Sequence, residues 1–420
     1  MLRPTIARIA TQTADRPAAE ASERLVWHIL RNRNFAPFFA GNLLSTIGSF
    51  FQMVAQSLLI FQLTHASLAV GAISFAQSIG TLVLGPWAGT IADRTDKRRL
   101  LIATQLLSMA AAAMVAVATF LGIVSVPWLI AGAVALGLSS TFGQPVTYSL
   151  VPALVPPQDL RASLQMYSIT FNISRIAGPV LGVLTITSFG YGWAFAANAV
   201  SFLFLIGALL IVHPREVARP AIPPRVGDLG RLLTSNRRIG LLLLLVVAMV
   251  MTYDPIQTLA PALVDKVFQA PEQWVGYFLG ALGASAIAGT LLTKRESSLA
   301  RVCAFLGLFS LGMAWYALAP VPYLALLGPL IGGAGYLQSN TGAQVLLLRE
   351  AGEERSGQMM ALFLMAFSGV RPLISLLDGA LADSVGVRQA GVLMVLPGLA
   401  IAVTALVLSG RSRWSARTVP

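Results

Sequence analysis

Charge is what this chain most lacks. Asp, Glu, Lys and Arg make up 11% of its 420 residues, against roughly 25% in a soluble domain, whose surface must stay solvated. With 56% hydrophobic residues and a mean hydropathy of +0.75, the chain cannot build such a surface, so lipid is its main solvent. Cysteine is nearly missing as well. Cys303 stands alone, which excludes an intramolecular disulfide and a cysteine metal cluster. The histidines His28, His65 and His213 show no ligand spacing, so neither a metal nor any other cofactor is expected. No Walker loop occurs, so the chain is not by itself an ATP-driven pump. Nor is there a His-Glu-x-x-His or serine-based motif of the kind a membrane-embedded enzyme needs.

What is present is a succession of long apolar runs. A helix needs about 20 mostly apolar residues to cross a bilayer. The runs between charge clusters predict an all-α membrane protein with twelve transmembrane helices. In the first half they lie near 36–63, 68–91, 100–123, 127–153, 164–187 and 193–212. In the second they lie near 239–262, 274–292, 302–319, 321–348, 359–382 and 390–408. Barrel strands would be about 10 residues long and alternate in polarity. The segment 1–35 is polar and basic, without a signal-peptide core. Within it, 19–33 sets Leu25, Val26, Ile29 and Leu30 among arginines. It reads either as a helix on the membrane surface or as an irregular tail.

Charge sets the orientation. With the N-terminus inside, 25 of the 29 Lys and Arg residues fall in the tails and even-numbered loops. Only Lys266 and Arg388 fall outside, and Arg175 and Arg371 lie within spans. The positive-inside rule therefore predicts a plasma (inner) membrane protein with both termini cytoplasmic. Basic residues spread over every inner segment also argue against nucleic acid as a partner, since a nucleic-acid reader gathers them on one face.

The longest polar break, 213–238, carries four prolines and six arginines and reads as a cytoplasmic linker. It divides the chain into an N-terminal tail (1–35), a six-helix bundle (36–212), the linker, a second bundle (239–408) and a C-terminal tail (409–420). A weak repeat agrees: Gln144 to Arg161 and Gln338 to Arg355 lie at an offset of 194, and the fifth and eleventh spans each carry one mid-span arginine, Arg175 and Arg371. Parallel repeats with a midplane site between them define one large transporter architecture.

After the second span the chain reads Gly89-Thr-Ile-Ala-Asp93-Arg94-Thr-Asp96-Lys97-Arg98-Arg99. This resembles the signature loop of the major facilitator superfamily, with Asp96 in place of the usual glycine. Gly89 lets two helices approach closely, and Asp93 at a helix end can accept hydrogen bonds from a neighbour. Arg94, Lys97 and Arg98 hold the loop at the inner leaflet. The first half resembles more closely the enterobactin-exporter-like (transmembrane secretion effector) branch. Asn32-Arg-Asn-Phe35, Val54-Ala-Gln56, Gly85-Pro86 and the run Val-Pro-Ala-Leu-Val-Pro-Pro-Gln at 151–158 carry that likeness. In span five, Gly178-Pro179-Val-Leu-Gly182 is similar to the core of the antiporter motif of efflux members, with Ser174 where its upstream glycine belongs. The resemblance implies an exporter of a small organic compound (a drug, siderophore or secondary metabolite) by proton antiport and alternating access.

Charges inside spans are costly and are functional candidates by default. Four stand out: Arg175, Asp254, Arg371 and Asp378. Arg371 and Asp378 share a helix face but lie about 10 Å apart along the axis, so they can share a polar path rather than one salt bridge. Pro255 should break the helix beside Asp254. Asp254 or Asp378 is expected to take up the coupling proton, because a dry site favours the neutral acid while a nearby guanidinium favours the carboxylate. The alternative is that these groups only pair across helices. Where related members carry an acid in span one, this chain has Ser49.

The resemblance implies a substrate cavity lined by spans one, four, seven and ten. The polar residues there are Gln52, Gln56, Gln144, Tyr148, Tyr253, Gln338, Asn340 and Gln344, with Phe50, Phe51, Met53, Met249 and Met251 as adaptable apolar lining. So little charge favours a neutral or amphiphilic substrate. The partners expected are a small organic substrate, protons and the lipid bilayer. An importer of the same fold and a non-transporting membrane scaffold are the alternative functions.

Overall fold

The computed structural model describes residues 28–215, 237–292, 298–351 and 356–415. Most of the expected surface helix at 19–33 and of the linker at 213–238 lies outside these residues, as does the end of the tail from 416 onward.

The first half holds α1 (Phe35–Thr64), α2 (Ser67–Arg94), α3 (Lys97–Phe120), α4 (Val126–Leu150), α5 (Leu160–Phe189) and α6 (Tyr191–Ile211). Local chemistry sets several ends. Asn32 Oδ1 accepts the N–H groups of Asn34 and Phe35 at 2.9 and 3.2 Å, covering two donors that the helix start leaves orphaned. Asp96, the residue that departs from the family loop, caps α3 by accepting the Arg99 N–H at 2.9 Å. An acidic cap suits the positive end of the helix dipole.

The second half holds α7 (Arg237–Tyr253), α8 (Gln273–Leu292), α9 (Leu299–Leu318), α10 (Leu327–Ala351), α11a (Ser356–Leu364), α11b (Arg371–Val385) and α12 (Val387–Ser415). A π turn, Met365–Gly369, joins α11a to α11b. α12 stays helical to Ser415, beyond the expected span end at 408. Among the described residues, ten helical stretches are long and apolar enough to cross a membrane, and α8 and α10 are not among them. In α10 the run Gln338-Ser-Asn-Thr341 among glycines lowers the hydropathy.

The surface is the reverse of a soluble protein's. Phe189, Phe204 and Leu311 are exposed, while Gln52, Asn198, Asp254 and Asp378 are buried. Lipid solvates the first set, and helix–helix contacts must satisfy the second.

Both halves pack in the same order. α2 lies on α4, α1 on α6, and α3 on both α4 and α6. Six helices later, α8 lies on α10, α7 on α12, and α9 on both α10 and α12. The repeat also fixes a turn. Gly190 (φ 88°) separates α5 from α6, and Gly386 (φ 103°) separates α11b from α12. Only glycine adopts such angles without strain. The halves meet along two seams, α5 against α8 and α2 against α11b, which the repeat relates to each other.

Candidate functional site

The site begins at a broken helix. α7 stops at Tyr253, Asp254 forms a turn, and the chain resumes in the short pieces Pro255–Thr258 and Ala260–Ala262 and the π turn Leu263–Val267. Proline lacks the N–H that would continue the ladder. Asp254 sits at that break and is fully buried. Its Oδ2 accepts a hydrogen bond from Thr258 Oγ1 at 2.8 Å, and its Oδ1 accepts one from Ser375 Oγ at 2.8 Å. Arg371 Nε lies 3.6 Å from the same Oδ1. The π turn ahead of α11b and Pro372 behind Arg371 break the regular ladder on that side too. Two interrupted helices thus bring opposite charges together between α7 and α11b.

Aromatic rings extend the cluster. Tyr253 and Tyr336 stack at 4.8 Å between centroids. The Arg175 guanidinium lies 4.9 Å from the Tyr253 ring and 4.5 Å from the Tyr336 ring, and Arg371 approaches Tyr253 at 5.4 Å. Each is a cation–π contact. Arg175 Nη2 is buried without a hydrogen-bond partner. Gln257 Nε2 donates to Tyr253 Oη at 3.1 Å, fixing the ring from one turn away.

Beside this cluster lies a cavity at the meeting of the two halves. Gln56 and Met53 of α1, Gln77 and Ser78 of α2, Gln257, and Arg371 with Ser375 of α11b contribute to its wall. Of the residues expected to line a cavity, Gln56 does so, with both amide atoms buried and unpartnered. Tyr253 carries the arginines instead. Gln52 turns inward and accepts from Asn198 Nδ2 of α6. Gln338 donates to the Gly289 carbonyl at 3.1 Å, and Gln344 to Asn340 Oδ1 at 3.0 Å. Gln144 and Tyr148 are exposed and do not line this space; Tyr148 packs edge-on against Tyr167 at 5.2 Å. Hydropathy could not have placed them, because in a membrane protein an outward face and an open cleft are both exposed.

Asp378 behaves differently from Asp254. It is fully buried, and among the described residues both carboxyl oxygens lack a hydrogen-bond partner, as does the buried hydroxyl of Tyr316. Arg371 pairs with Asp254 and makes no salt bridge to Asp378 among the described residues.

The other sequence features act in packing. A Cβ on Gly178 would meet Phe50 Cβ at 2.5 Å, and one on Gly182 would meet the Phe51 carbonyl at 3.1 Å. These two positions therefore seat α5 on α1, while Pro179 faces Gly276 of α8. In the signature loop, Lys97 Nζ donates to the Ser149 carbonyl at 3.3 Å, and Arg98 Nη2 donates to the Leu210 carbonyl. Both cap the negative ends of helices, α4 and α6. Arg94 is exposed. Gly89 and Asp93 lie in α2, and the surroundings of both are outside the described set.

Sequence reasoning did not single out Thr258, Ser375, Tyr336, Glu272 or Asp383. Thr258 lies four residues after Asp254, and Ser375 four after Arg371, a spacing that puts each pair on one helix face. Asp383 accepts the backbone N–H groups of Ser67 and Leu68 through separate oxygens at 2.9 and 2.8 Å. Glu272 accepts from Gln62 at 2.7 Å and from the Tyr191 hydroxyl at 2.9 Å. Both acids tie the second half to the first at the same end of the bundle.

The described residues thus form a helical bundle of two like halves, in whose second half a buried aspartate pairs with a part-exposed arginine at broken helices. The fold resembles that of a point mutant of the nucleoside transporter NupG, with a TM-score of 0.73 at 11% identity over 89% of this chain and 99% of that one. It also resembles a bacterial homologue of the lysosomal transporter Spinster in an inward-facing, unoccupied conformation, with a TM-score of 0.69 at 12% identity over 92% of this chain and 98% of that one. By residues 25–417, the chain belongs to the transmembrane secretion effector family of major facilitator transporters. It is 26% identical to the MFS-type transporter YfiS of Bacillus subtilis over 88% of this chain and 93% of that protein. It is 24% identical to the staphyloferrin A transporter of Staphylococcus aureus over 61% of this chain and 66% of that protein. To macrolide efflux protein A of Streptococcus pyogenes it is 25% identical over 54% of this chain and 58% of that protein. The chain thus spans two thirds or less of the length of the latter two.

Proposed function

We propose that this transporter is a secondary-active exporter of a small organic compound, driven by proton antiport with alternating access. It sits in the plasma (inner) membrane with both termini in the cytoplasm, a placement supported by the distribution of Lys and Arg. Alternating access comes from the two six-helix halves rocking against each other. The observation that carries the reading is the Asp254–Arg371 pair at 3.6 Å, set at a helix break beside a cavity between the halves. A carboxylate held by a guanidinium, two hydroxyls and a dry surround changes its hold on a proton when the halves move and any of those contacts changes. The names of the efflux and siderophore-transporting relatives support a small organic substrate. Asp378, buried and without a hydrogen-bond partner among the described residues, is the second candidate for the same proton.

The test is efflux from proteoliposomes with a macrolide and a siderophore as substrates, with and without a protonophore. Proton-driven efflux that falls at least tenfold in Asp254→Asn supports the reading. Full proton-driven efflux in both Asp254→Asn and Asp378→Asn overturns the coupling site. Efflux that ignores the protonophore overturns proton antiport, and net uptake favours an importer.

A further inference from the structure

Little in-span charge, taken alone, favours a neutral substrate. The setting of Arg371 points elsewhere. Asp254 engages Nε of its guanidinium at 3.6 Å, and the side chain remains 35% exposed. Its terminal nitrogens have no hydrogen-bond partner among the described residues. Arg371 is also the one charged residue among those described around the cavity; the rest of the wall is Gln, Ser, Met and aliphatic side chains. A planar guanidinium has more than one edge that can take a carboxylate in a two-bond fork. With Asp254 on the Nε side, the edge formed by the terminal nitrogens is left to the cavity. Gln56 gives a second, independent sign of a ligand. It is 1% exposed, lines the same cavity, and neither its amide nitrogen nor its amide oxygen has a partner. Buried amide atoms are rarely left unmet in a finished structure, so a bound molecule that both donates and accepts is the fitting occupant.

We propose that the cavity binds an organic anion, whose carboxylate forks onto the terminal nitrogens of Arg371 while a neighbouring polar group of the same molecule pairs with Gln56. Asp254 keeps its contact with Nε, so the anion adds to the pair and does not replace the aspartate. The inference rests on the transporter reading but is tested by binding alone. Failure of proton-driven export therefore leaves it standing, and failure of anion binding leaves the export reading standing.

The experiment uses the purified full-length protein in detergent, with dansyl-leucine and its methyl ester as probes, followed by energy transfer from tryptophan. The acid is expected to bind at least tenfold more tightly than the ester. Arg371→Gln should weaken the acid to the level of the ester and leave the ester unchanged. Arg371→Lys, which keeps the charge but loses the fork, should fall between. Gln56→Leu should weaken both probes several-fold. Equal binding of acid and ester, binding of neither, or a preference that survives loss of the guanidinium overturns the proposal. Should Arg371→Gln fail to fold, the acid–ester comparison in the unaltered protein and the Arg371→Lys variant still decide it.

Discussion

Along one seam, α5 meets α8 chiefly through apolar side chains, with one backbone approach where the Pro179 carbonyl faces Gly276; along its repeat-related counterpart, α2 meets α11b through backbone and an acidic cap. On the first, a Cβ added at Gly280 or Gly283 would strike the side chains of Val180 at 2.7 Å or Ile176 at 2.5 Å. Such side chains can rotate. On the second, a Cβ on Gly71 would run into the Ser375 carbonyl, and one on Gly379 would lie 2.6 Å from the Ser67 carbonyl. Backbone cannot rotate away. This seam also carries the Asp383 cap on Ser67 and Leu68 at its end, and beside it Arg371 of α11b pairs with Asp254 within the second half. The arginines follow the same division. Arg175 rests on two tyrosine rings with no acid partner, whereas Arg371 meets a carboxylate. The two repeat-related seams thus suit different tasks. Apolar side chains tolerate small sliding, while directional bonds hold discrete positions.

The largest effect should come from the charge beside the polar seam. Asp254→Asn should lower proton-driven efflux at least tenfold, with substrate binding measured separately to show that the cavity persists. Next, Gly71→Ala should destabilise the protein by about 2–3 kcal/mol, the upper part of the range for overpacking, because the Ser375 carbonyl has nowhere to go. Gly280→Ala should cost less than about 1 kcal/mol, because Val180 can repack. Thermal melts in detergent compare the two, and equal losses would remove the distinction between the seams. Arg175→Lys should cost about 1–2 kcal/mol, the worth of desolvated cation–π contacts, and leave the protonophore sensitivity of efflux intact. The smallest effect should be that of Asp383→Asn. Its carboxylate is exposed, so weakening the cap should be worth about 1 kcal/mol after solvent screening. Spin-label distances between α2 and α11b near that cap, in a Cys303→Ser background, should show a several-fold gain of the open population. Distances unchanged from the unaltered protein would exclude Asp383 as a latch.

Much of the polar seam was legible in advance. Asp254 beside Pro255, and Arg371 within an apolar run, announce themselves because a bilayer makes an in-span charge expensive. The repeat holds more than the two arginines. With the 196-residue offset that relates Arg175 to Arg371, Gly178, Pro179 and Gly182 correspond to Ile374, Ser375 and Asp378. The two glycines that seat α5 on α1 thus become an isoleucine and a buried acid in α11b, and Pro179 gives way to the hydroxyl that bonds Asp254. Tyr336 was not legible. It lies 336 − 175 = 161 positions from the arginine it carries, and nothing local marks it. The lining of the cavity was only partly legible, since Gln56 faces it while Gln52, on the same helix, turns to Asn198.

By itself, the sequence determined the class of solvent, the helical spans, the weak repeat and the positions of the four in-span charges. All of these follow from transfer energies that act on each residue or run separately. Only the tertiary structure decided the partners. It gave Arg371 to Asp254 and Arg175 to two tyrosines, made one seam polar and its counterpart apolar, and left Asp378 without a bond. Helices in lipid rotate and tilt until their packing and hydrogen bonds are met, and hydropathy does not record which rotation wins.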